Sequence, residues 1–191
     1  MRRLALVLSA LLGVCFGPQS PAQVVNSYPM PPATKMESLD TNVDCIILKA
    51  TSEVGSLSLN AGVVSVRFRE STDLSSGRRE QGIVIEIVQR GQPRDTLLID
   101  HDECLPLSTA MNYLNKVDFG VTPLNAFDAV YTTKGGFRVA VVGVRATGAI
   151  QYAIRDARID STPIVLSRQD LSRLGALIDQ AKAKIDLLGG S

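Results

Sequence analysis

The sequence has no Trp and one His in 191 residues, and aromatics make up only 5% of it. Stacking surfaces for bases or sugar rings are poorly supplied. A solitary His101 excludes an H-x-x-x-H metal motif, and no Ser lies in a G-x-S-x-G setting. Phosphate cradles are missing too. Thr133-Lys134-Gly135-Gly136 lacks the G-x-x-x-x-G-K-[ST] order and reads as a hairpin turn. Neither sign of charge dominates: 20 Lys and Arg stand against 19 Asp and Glu. That balance gives no long-range attraction to nucleic acid or an anionic membrane.

What is present begins with a three-part leader. Met1-Arg2-Arg3 is basic, Leu4 to Phe16 is apolar but too short to span a bilayer, and Ser20-Pro21-Ala22 offers small residues at a cleavage site. Residues 1–22 are therefore expected to be a secretory signal peptide, which makes the chain an exported one, periplasmic or extracellular. An uncleaved membrane anchor is the alternative. Cys15 does not suit lipid attachment, because bulky Val14 precedes it. Removal of residues 1–22 leaves 18 basic and 19 acidic side chains, a net charge of −1. No second apolar run can cross a membrane, so a soluble mature chain is expected. Residues 23–41, with Pro29, Pro31 and Pro32, read as a disordered tether.

Residues 42–191 read as one globular domain. Strand signals fall at 43–49, 54–59, 63–69, 83–88, 96–100, 127–133, 137–144 and 149–155, with 158–166 extended and Pro163 implying an edge. Residues 71–81 read as a polar loop. Two helices are expected, near 103–117 and 167–188. Cys104, Leu107, Met111 and Leu114 share one face of the first. Leu171, Leu174, Ile178, Ala181, Ile185 and Leu188 share one face of the second, behind a Ser167-x-x-Asp170 capping box. Tight turns without alternating helices predict an α+β fold with a mainly antiparallel sheet. The order suggests two similar halves, each a set of strands followed by a helix.

The densest polar cluster is Asp100-His101-Asp102-Glu103. Carboxylates beside an imidazole can hold a divalent metal, so a metal-assisted enzyme is one reading. Neighbouring residues diverge, however, and the ordinary reading is a strand-to-helix turn. There Asp100 or Asp102 caps the helix and Glu103 complements its positive end. His101 as a catalytic base lacks an identifiable partner. No metal, cofactor or catalytic residue is therefore assigned. Arg67, Arg69, Arg138 and Arg145 could line a phosphate-binding sheet face, or could simply be solvent-facing. Cys45 and Cys104 remain after export. An exported compartment permits a disulfide between them, and two buried thiols are the other option.

Four strands then a helix, twice, resembles the topology of the Whirly and PC4-like single-strand-binding folds. Ile99-Asp100-His101-Asp102-Glu103, Tyr131 to Phe137 and Ala181 to Asp186 are similar to an uncharacterised group of secreted bacterial proteins, a resemblance that implies no activity. The leading expectation is an exported, non-enzymatic binding or structural module of unknown ligand. The alternatives are the metal-assisted enzyme and single-stranded nucleic-acid binding. Nucleic acid is the less favoured partner, given the charge balance and the expected export.

Overall fold

The computed structural model describes residues 32–159 and 161–189. The expected signal peptide, and the tether up to residue 31, lie outside them. The elements run α1 (Lys35–Asp40), β1 (Ile47–Leu59), β2 (Gly62–Asp73), β3 (Arg79–Gln89), β4 (Asp95–Asp100), α2 (His101–Leu114), β5 (Ala126–Thr132), β6 (Phe137–Val144), β7 (Ala149–Asp156), β8 (Ile164–Leu166) and α3 (Arg168–Gly189). Two four-stranded sheets result, ordered β1-β2-β3-β4 and β5-β6-β7-β8, antiparallel throughout. The fold is α+β, as the turn chemistry and strand runs predict.

Period-two alternation decides which face of each strand is buried. Val64, Val66, Phe68, Ile83, Ile85, Leu97 and Ile99 give the first sheet its inner face. Phe137, Val139, Val141, Tyr152 and Ile154 give the second sheet its own. Helices α2 and α3 complete the same core. Cys104, Leu107, Met111 and Leu114 are buried from α2, and Leu171, Leu174, Ile178, Ala181 and Ile185 from α3. The α3 capping box forms with Asp in the unusual place. Ser167 Oγ accepts from the Asp170 N–H at 3.0 Å, and Asp170 Oδ2 accepts from the Ser167 N–H at 3.3 Å.

Four local expectations are corrected. Residues 34–41 are not tether: Thr34 caps α1 in a full capping box with Glu37, and Met36 and Leu39 are completely buried. The segments at 43–49 and 54–59 belong to one strand, β1, which starts at Ile47 and takes a bulge between Glu53 and Gly55. The loop expected over 71–81 shrinks to residues 74–78, because β2 and β3 run on as a ribbon. Leu188, expected on the buried face of α3, is exposed near the helix end.

Helix α1 lies on the outer face of the first sheet. Met36 joins Val84 and Leu98 in a small separate apolar cluster there. A Cβ at Gly82 would collide with the Ile99 carbonyl oxygen and the Met36 sulfur, so glycine is what lets α1 approach this closely. Beside α1, Asp40 pairs with Arg69 and Lys49, and Glu86 pairs with Arg67 and Arg94. Among the described residues, no helix covers the outer face of the second sheet. Its exposed side chains include Val130, Val142, Val144 and Val165.

Candidate functional site

Asp100, His101, Asp102 and Glu103 straddle the β4–α2 junction, and their side chains reach three separate surroundings. Asp100 occupies the N-cap position of α2 but makes no side-chain bond to that helix. Its buried carboxylate accepts instead from the N–H groups of Lys35 and Met36, at 2.8 and 3.2 Å. The expected cap thus exists, but it serves α1, whose first N–H groups have no intrahelical partner. Glu103 turns inward. Its Oε1 accepts from the Lys134 N–H at 2.7 Å, while Oε2 is buried without a hydrogen-bond partner among the described residues. Burial, and then the Glu103 charge, push the nearby Tyr131 hydroxyl above its ordinary pKa.

Only His101 and Asp102 face the cleft at this junction. It holds about 680 Å³, within the range of small-ligand sites. Four elements wall it: Lys35 of α1, Arg79 to Gln81 of β3, His101, Asp102 and Leu105 of α2, and Lys182 and Leu188 of α3. Asp102 Oδ2 lies 3.2 Å from both Lys35 Nζ and Lys134 Nζ. Burial pushes the Asp102 carboxyl up, but the two ammonium groups outweigh it and hold the pKa below its usual value. Asp186, one turn from Lys182, lies 2.6 Å from Lys182 Nζ and 3.3 Å from His101 Nε2. These contacts, Lys182 first and His101 second, lower its pKa. Lys134 and Lys182 are each raised, chiefly by their hydrogen bonds to Asp102 and Asp186. Asp102 and Asp186 thus serve four basic groups, of which Lys35, Lys182 and His101 line the cleft; Glu80, on the same wall, pairs with Arg78.

The chemistry open to this arrangement is limited. An Asp186–His101 pair is part of a hydrolytic triad, but no hydroxyl or thiol among the described residues bonds to the imidazole. Ser108, on α2, bonds Asp179 instead. Cys104 is buried in the core with its thiol pushed up to about 12 by burial and then by Glu103, so it is a poor nucleophile. No three His, Cys, Asp or Glu side chains among the described residues could converge on a metal ion. The arrangement can hold a ligand by charge and hydrogen bonding.

Cys45 and Cys104 are both free thiols. Cys45 precedes β1 at one edge of the first sheet, whereas Cys104 follows β4 at the other. Three inter-strand spacings of ~4.8 Å separate those strands, far more than a disulfide spans. The arginines are scattered as well. Arg67 and Arg69 are ion-paired on the first sheet. Arg138 lies on the second, and Arg145 donates to the carbonyls of Phe119, Thr122 and Leu124.

Of the other lining residues, Lys35, Leu105 and Lys182 carry no site signal in the sequence, Arg79 and Gln81 fall in the loop expected over 71–81, and Leu188 was expected in the core. The only local signal was the i, i+4 spacing of Lys182 and Asp186. No helix among the described residues is long and apolar enough to cross a membrane.

No family model, curated protein or solved structure matches this chain.

Proposed function

We propose that this chain is an exported, non-enzymatic binding module whose cleft receives a small ligand carrying an anionic group. One observation carries the reading: Lys35 and Lys134 share Asp102, and Lys182 and His101 share Asp186. The basic side chains hold donor capacity that those two carboxylates do not use up. Half-exposed Leu105 and Leu188 at the rim suit an apolar portion of the same ligand. Export is supported by the basic, apolar and small-residue segments of residues 1–22. The repeated order of four strands and a helix supports the Whirly-like likeness, which as a fold-level analogy carries no function. Neither the metal-assisted reading nor the nucleic-acid reading has a comparable observation behind it.

Calorimetry with a panel of carboxylate- and phosphate-bearing small molecules tests the cleft. Saturable binding that weakens with salt is expected, and Lys182→Ala should lower the affinity about tenfold. Absence of saturable binding across the panel would overturn the reading. N-terminal sequencing of the exported product should find a start near Gln23, and an intact Met1 in that fraction would contradict export.

A further inference from the structure

The outer face of the second sheet carries no helix among the described residues and presents a continuous aliphatic row. Strand register sets Val130, Ala140, Ala153 and Val165 side by side across β5, β6, β7 and β8. These four form an aliphatic row over the full width of the sheet. Val142 and Val144 extend it along β6, each 40% exposed. One residue pair beyond the row, Arg138 stands directly opposite Arg155. Like charges paired across strands repel, and neither arginine has an acidic partner among the described residues. On the other side of the row lies Asp128, opposite Val142 and equally without a basic partner. A face this apolar, bounded by unpaired charges of opposite sign, is fitted to a partner carrying the same pattern reversed.

We infer that this face binds a second copy of the same chain through a two-fold axis along the Val130–Ala140–Ala153–Val165 row. Such an axis keeps the aliphatic row against itself. It brings the Asp128 side of one copy over the Arg138–Arg155 side of the other, twice over by symmetry. Asp128 then lies one strand, ~4.8 Å, to the side of the partner copy's arginine on β6, a gap the long arginine side chain closes. Aligned sheets pack ~10 Å apart, which suits these short side chains. One row ~6.8 Å deep across four strands, with a row across three strands on each side, gives roughly 300 Å² per copy, less than a standard interface. The dimer is accordingly reversible and dependent on concentration. This inference stands apart from the cleft, which lies on other elements.

Sedimentation velocity on the purified chain over a range of concentrations and salt tests it. Reversible dimerisation that weakens with salt is expected. Val130→Lys should leave a monomer at every concentration, with an unchanged circular dichroism spectrum. Asp128→Arg should do the same, and the double variant Asp128→Arg/Arg138→Asp should restore association. A wild-type chain that stays monomeric at the highest concentration overturns the proposal. So does a dimer that Val130→Lys leaves intact, or a double variant that fails to reassociate while its melting curve remains that of the wild type.

Discussion

The two sheets share a meander topology and differ in how each treats its outer face. On the first, the strands are long and α1 is laid across them, with Met36 seated on Val84 and Leu98 and ion pairs filling the flank. On the second, the strands are short and the face is a bare aliphatic row. The inner faces show no such contrast, because both close on α2 and α3. A strand pattern therefore specifies the buried side of a sheet more strictly than the exposed one. What covers the outer side is set elsewhere: α1, ahead of the first strand, packs Met36 on Val84 and Leu98 of the third and fourth.

The largest expected effect falls on what the sheets share. Ile178→Asp places a carboxylate in the common core, where Ile178 is completely buried, and should cost at least ~3 kcal/mol by urea unfolding. Asp100→Ala strips the first sheet of its anchor for α1 and leaves two helix N–H groups without an acceptor. A loss of ~1–3 kcal/mol is expected, with faster hydrogen exchange confined to α1 at first. Equal exchange across the whole chain would show that α1 is not a separable cover.

The contrast between the faces is sharpened by one substitution made twice. Val84→Thr, beneath α1, should cost ~1–2 kcal/mol, whereas Val142→Thr, measured at a concentration low enough to keep the chain monomeric, should stay within ~0.5 kcal/mol. Equal losses in the monomer would mean that the second face is covered by the chain itself. The smallest effect concerns acid. Asp102 and Asp186 have lowered pKa values, so they stay ionised in the native cleft at a pH where the unfolded chain takes up protons. Their contribution is present above the ordinary aspartate value of about 4 and is lost as pH falls below it. The double variant Asp102→Asn/Asp186→Asn should flatten the acid limb by lowering the melting temperature slightly in the neutral region and leaving the acid end little changed.

Much of the fold was legible because it rests on periodicity. The apolar stripe of α3 and the alternation of β6 are decided locally, and both elements sit within a residue or two of their expected ends. Helix α1 was not legible. It is six residues long, carries only two buried side chains and follows a proline-rich run, so composition outweighed the Thr34–Glu37 capping box. Strand β1 was divided because Lys49 to Glu53 are exposed on both faces and show no alternation. Of the candidate site, His101 and Asp102 stand out locally, and Lys182 and Asp186 only through their i, i+4 spacing. The cleft depends on Lys35 meeting Asp102 across 67 positions, and His101 meeting Asp186 across 85.

Helix α3 also bears on the order in which the molecule can be assembled. Lys184 on α3 donates to the Glu53 carbonyl, 131 residues earlier, and Leu177 packs over Gly55. Each meander forms from neighbouring hairpins, which close quickly, while α2 reaches mainly β3 and β4 of the first sheet. The inner side of β1 and β2, with Leu57, Val64 and Val66, therefore stays open to water until α3 is laid down. In a chain delivered from its N-terminus, the earliest strands to appear are the last to be sealed, and the exposed apolar surface persists for nearly the whole time of delivery. Escape from aggregation then depends on how fast the final helix docks.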